Sequence, residues 1–67
     1  MAKPHWVDAP EWAQWLAQDE DGEWYWFQDE PEAMGCKEWI TLTGGNFEWA
    51  RTTPCHGHWF KTLEARP

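Results

Sequence analysis

The chain has 67 residues, eight of them tryptophan, and sets twelve acidic side chains against five basic ones for a net charge of −7. That balance argues against direct binding to nucleic acid phosphates or an anionic membrane surface, both of which are reached through Lys and Arg. No run of 18 apolar residues and no apolar stretch after "MAKPHW" appears, so neither a membrane span nor a signal peptide is expected, and two cysteines are too few for a disulfide-built secreted scaffold.

One small domain, 1–67, is expected. A domain near 60 residues buries only about 60% of its unfolded surface, so stability must come from large side chains. A buried aromatic ring removes roughly 150–250 Å² from water. At about 25 cal/mol per Å² each contributes several kcal/mol. Eight Trp, three Phe and one Tyr cannot all be enclosed by so short a chain. Some ring surface is therefore expected outside, where it marks a contact site.

From the N-terminus, "DAPEW" (Asp8 to Trp12) predicts a helical turn, with Asp8 as cap, Pro10 early and Glu11 three residues after the cap. If that helix ran on over Glu11 to Gln18, Trp12, Trp15, Leu16 and Asp19 would share a short, imperfect stripe. In the competing reading a strand from Ala13 leads into "DEDG" and a second run, "EWYWFQ", and Asp-Gly between two such runs predicts a hairpin over Ala13 to Gln28. A loop of two or four residues would put Trp15, Ala17, Trp24 and Trp26 on one face and Leu16, Tyr25 and Phe27 on the other. Both faces are then apolar, and both need cover from the terminal segments or from a partner.

"PEAMG" reads as a connection, broken by Pro31 and Gly35. "EWITLT", "GGN" and "FEWAR" predict a second hairpin, Lys37 to Arg51, turning at Gly44-Gly45 and pairing Ile40 with Trp49 and Leu42 with Phe47. "TTPCHGH" (Thr52 to His58) is a loop by composition, and Trp59, Phe60 and Leu63 have the spacing of a short helical turn within Trp59 to Ala65. The expected fold is mainly β, a small antiparallel sheet of two β-hairpins with short helical turns at the N- and C-terminal ends. Trp15, Trp26, Ile40, Leu42, Phe47 and Trp49 are expected to form most of the core.

Cys36, Cys55, His56 and His58 are ligand types that suit zinc, but only the Cys55 end is clustered, whereas structural zinc sites show paired ligands at both ends. Loop histidines and packed thiols are the plainer reading; a zinc-stabilised module is kept as the alternative and no cofactor is expected. Carboxylate pairs are abundant by density alone, and without an enclosing pocket they do not make a general acid, so no catalytic residue is assigned and no enzyme is expected. The informative feature is acid beside surplus aromatic area. Asp19, Glu20, Asp21, Glu23, Asp29, Glu30 and Glu32 are the expected electrostatic contact, with Trp24 or Trp39 as a partly exposed anchor. Carboxylates at turns also keep a Trp-rich domain soluble. As a contact they complement a protein with a basic surface, and unpaired strand edges make a second copy of the chain another candidate partner.

Four segments together carry a resemblance. "DAPEWA" (Asp8 to Ala13), "AQDEDGEWYWF" (Ala17 to Phe27), Pro31 and "WFKTLEARP" (Trp59 to Pro67) resemble small proteins encoded by tailed bacteriophages and prophages. In that set an Ala-Pro-x-Trp-Ala opening, an Asp-x-Asp-Gly turn followed by aromatics, and a Trp-x-x-Ser-Leu-Glu-x-Arg-Pro ending recur; Thr62 stands here for the Ser. The match covers half the chain and leaves Ala33 to His58 outside it. The resemblance implies a phage genome and the host bacterial cytoplasm. It also implies an accessory role, binding and redirecting a host enzyme, and the surface carboxylates, by imitating the charge of a nucleic acid backbone, would suit a nucleic-acid-binding one; a virion or assembly component is the alternative.

Overall fold

The "DEDG" turn closes its hairpin with three residues rather than two or four, and that difference sets which side chains meet. In the computed structural model, which describes residues 3–35, 38–55 and 57–67, the Gly22 N–H donates to the Asp19 carbonyl and the Asp19 N–H to the Glu23 carbonyl, both at 2.9 Å. Gly22 lies at φ +94°. This is a three-residue hairpin loop ending in a left-handed residue, a conformation glycine adopts without steric cost. The position is also tight: a Cβ on Gly22 would stand 2.3 Å from the Thr53 carbonyl oxygen.

Strands β1 (Trp15–Gln18) and β2 (Glu23–Phe27) accordingly pair Trp15 with Phe27, Leu16 with Trp26, Ala17 with Tyr25 and Gln18 with Trp24. Directly opposed residues share a face, so one face carries Trp15, Ala17, Tyr25 and Phe27 and the other Leu16, Gln18, Trp24 and Trp26. The expected grouping of Trp15 and Ala17 with Trp24 and Trp26 is corrected by that odd loop, since a one-residue slip moves a whole strand's side chains to the opposite face.

The second hairpin is not the expected one. "PEAMG" contributes a strand, β3 (Glu32–Met34), which pairs with β4 (Glu38–Ile40) as a separate two-stranded sheet. The run after the glycines, β5 (Phe47–Thr52), turns away from β4 and pairs with the outer edge of β2, and β6 (Glu64–Ala65) closes the other edge on β1. The main sheet has the order β5-β2-β1-β6. A Lys37 to Arg51 hairpin would have left β2 with an unpaired edge. Pairing β5 there sets Phe47 opposite Phe27 and Trp49 opposite Tyr25, aromatic cross-strand pairs that outweigh the local turn preference of Gly44-Gly45. The 41–46 loop is fastened beside β2: the Thr43 hydroxyl donates to Asp29, and Gln28 and Asn46 exchange backbone and side-chain hydrogen bonds at 2.9 and 3.1 Å.

Both faces of the sheet are covered from within the chain. A 3-10 turn at Trp6–Asp8 and a further turn from Pro10 to Ala13 lay Trp6, Ala9 and Trp12 over Leu16, Trp24 and Trp26, with the Trp6 and Trp26 rings 5.0 Å apart. Asp8 ends that first turn instead of capping one. On the other face Ala17 and Phe27 are buried under Trp39 from β4 and under Trp59 and Leu63. Only Trp59–Lys61 of the expected C-terminal helical turn is helical, because the chain then pairs with the free edge of β1. The core differs accordingly: Trp26 is buried, Trp15 and Ile40 are half-buried, and Leu42, Phe47 and Trp49 are 62%, 63% and 53% exposed. Among the described residues no helix is long and apolar enough to cross a membrane.

Candidate binding site

Trp24 and Trp39 are not the exposed anchors the sequence suggested. Both are buried, and both indoles have partners: Trp24 Nε1 donates to Thr53 Oγ1 at 2.7 Å, and Trp39 Nε1 donates to the Gln18 carbonyl at 3.0 Å. A large ring with a satisfied N–H is a structural element of the core. Exposed apolar side chains lie instead on β5, in Phe47 and Trp49, and on Leu42 before it, with Val7, Met34 and Phe60 exposed elsewhere.

The seven carboxylates separate into two groups. Asp19, Glu20, Asp21 and Glu23 surround the tight turn. Asp29, Glu30 and Glu32 lie beyond the opposite end of β2, and Asp29 is engaged by Thr43. At the turn, Asp21 Oδ1 accepts the Glu23 N–H at 3.1 Å and Glu23 Oε1 accepts the Tyr25 hydroxyl at 3.3 Å. Burial, then the charge of Glu23, pushes the Tyr25 phenol above its usual range.

Asp19 has the most perturbed environment. Its Oδ1 accepts the Trp39 N–H at 2.9 Å, which fastens β4 across the end of β1. Partial burial pushes its pKa up from 3.8 to about 6; the Trp39 hydrogen bond opposes this, and the nearby charges of Asp21, Glu38 and Glu23 add to it. Glu38, absent from the residues singled out above, thus belongs to the same electrostatic group.

Between β4 and the aromatic face of β2 and β5 runs a cleft of about 240 Å³. Tyr25, Phe27 and Phe47 form one wall, with ring centroids 6.2 to 6.4 Å apart. Trp39 and Ile40 form the other, and Asp19 and Glu38 also line it. A larger concavity of about 630 Å³, which includes Asp29, Glu30 and Arg66, is a broad depression open to solvent and lacks such walls. Tyr25, Phe27, Phe47 and Glu38 were missed because the cleft joins strands that sequence reasoning paired differently. The one available signal was the apolar face of β2 left without cover.

Of the zinc-type residues, Cys36 and His56 lie outside the described residues, Cys55 is half-buried and His58 is exposed. Among the described residues no group of three or more His, Cys, Asp or Glu side chains is placed to hold a metal ion. Gln18 is a polar residue that no motif in the sequence singles out. It is buried, and its side-chain amide donates to the Gly22 and Thr53 carbonyls at 3.1 and 3.0 Å, joining the hairpin turn to the end of β5. The chain matches no protein-family model, no curated protein and no solved structure.

Proposed function

We propose that the chain is a non-enzymatic accessory protein of phage origin, acting in the host bacterial cytoplasm, that binds and modulates a host protein through a basic surface on that protein. The observation that carries the reading is the juxtaposition of the acidic turn, Asp19 to Glu23 with Glu38, and exposed aromatic area, Phe47 and Trp49, on one side of the sheet. Aromatic anchors ringed by charge are the anatomy of a contact surface. Like-signed carboxylates speed association with a cationic partner and are screened by salt. A nucleic-acid-binding enzyme, whose working surface is basic, is a partner of the right chemistry.

The test is capture of bacterial lysate proteins on the immobilised full chain, compared with Glu20→Lys combined with Glu38→Lys, both at exposed positions. The expected result is a retained set of basic proteins that elutes as salt rises through several tenths molar and is lost on charge reversal. Retention of the same proteins by the reversed variant would contradict the reading.

A further inference from the structure

We propose that the cleft between β4 and the aromatic face of β2 and β5 receives a single arginine side chain of the partner protein. The inference deepens the proposed function and rests on it. It names the group on the partner that the acidic aromatic surface recognises.

Size decides the scale of the occupant. Sites for drug-sized ligands run from roughly 300 to 1,000 Å³, and at about 240 Å³ this cleft fits one long side chain. Chemistry decides its class. Ring faces attract cations through their quadrupole, and on that wall the half-buried Tyr25 and the exposed Phe47 supply two accessible rings beside the buried Phe27. Asp19 and Glu38 supply the counter-charge, and among the described residues neither has a cationic partner. Guanidinium fits better than ammonium: it is planar, weakly hydrated, stacks on aromatic faces and keeps N–H donors at its edge for carboxylates, whereas a lysine ammonium is a compact and strongly hydrated charge.

The electrostatics of the cleft point the same way. The Asp19 carboxylate faces Asp21 and Glu23 from its own hairpin and Glu38 from β4, all of one sign. An entering cation relieves that repulsion and favours the ionised form, so binding weakens as pH falls through about 6.

The experiment titrates the full chain with end-capped Ala-Arg-Ala, Ala-Lys-Ala and Ala-citrulline-Ala peptides at low salt and pH 7.5, read by calorimetry. Citrulline keeps the shape of arginine and removes its charge. Arginine peptide is expected to bind in the roughly millimolar range and at least about fivefold more tightly than the other two, and Glu38→Gln and Phe47→Ala are each expected to weaken it about fivefold. Far-ultraviolet circular dichroism checks that each variant keeps the fold, and because Phe47 also pairs with Phe27 across the strands, Glu38→Gln at an exposed position carries the test if Phe47→Ala loosens the sheet. Equal binding of citrulline or lysine, or indifference to both substitutions, would overturn the proposal. If the peptides fail while lysate capture remains sensitive to charge reversal, the cleft assignment falls alone; if both fail, the proposed function falls with it.

Discussion

Asp19 shows how one residue serves two ends of the molecule. Its carboxylate accepts the Trp39 N–H and so docks β4, yet partial burial, with the like charges of Asp21, Glu38 and Glu23 adding to it, raises its pKa to about 6. An aspartate whose pKa is higher in the folded than in the unfolded chain favours folding while protonated. That contribution is lost as pH rises from about 4 to about 6. Asp19→Asn keeps the oxygen that accepts the Trp39 N–H and removes the charge. Thermal melts should show it above the parent Tm at pH 7 and level with it near pH 4; a variant lower at every pH would refute this account of Asp19. Thr53 is a second pivotal residue, its hydroxyl accepting from both Trp24 Nε1 and Gln18 Nε2. Thr53→Val leaves Trp24 Nε1 without its acceptor, while Gln18 keeps the Gly22 and Thr53 carbonyls, and should cost about 1–3 kcal/mol in denaturant unfolding. Neither role was legible beforehand, because a threonine inside "TTPC" carries no periodic signal.

Among the elements, the three-residue turn has the widest consequences. Gly22→Ala places a methyl group against the Thr53 carbonyl at a positive φ, and should destabilise by about 2 kcal/mol or more while leaving the mostly β circular dichroism signature in the surviving folded fraction. The first hairpin was legible in the sequence because Asp-Gly and the flanking apolar runs are local signals. Its parity was not, because loops of three and four residues share the same letters and differ in whether Gly22 forms the loop's left-handed close. The second hairpin was misread for a different reason. "GGN" is a good turn locally, but the open edge of β2 offered β5 a longer ladder and two aromatic pairs, a non-local choice that no window of residues contains. The candidate site depends on that choice. Its acids at the turn were legible as a cluster, whereas the wall of Tyr25, Phe27 and Phe47 exists only once β5 lies against β2.

At the scale of the molecule, the terminal segments together with β4 solve the problem posed by a sheet with two apolar faces. The N-terminal turns cover Leu16, Trp24 and Trp26, while Trp39, Trp59 and Leu63 cover Ala17 and Phe27. The two ends are tied together beside β1. Arg66 donates to the Pro10 carbonyl at 3.1 Å and to the Ala13 carbonyl, and its guanidinium stands 5.5 Å from the Trp6 ring centre. Glu64 accepts Trp6 Nε1 at 2.9 Å, and its hydrogen bond with Lys3 holds its carboxyl below the usual range. The "DAPEWA" and "LEARP" segments therefore meet in space. Arg66→Ala should loosen the N-terminal cover and lower stability by about 1–3 kcal/mol, with Trp6 fluorescence shifting toward that of an exposed indole.

This cover is uneven: one side of the sheet is closed by the N-terminal turns, and the other leaves Phe47, Trp49 and the cleft beside Trp39 open. The central claim is that a basic partner docks on that open side. The eight tryptophans supply a built-in map, because each indole N–H gives its own signal in a proton–nitrogen correlation spectrum of the labelled chain. On titration with the captured partner, or with a basic arginine-rich peptide, the signals of Trp39 and Trp49 should move while those of Trp6, Trp24 and Trp26 stay in place. Movement of the Trp6, Trp24 and Trp26 signals with Trp39 and Trp49 unmoved would contradict the account.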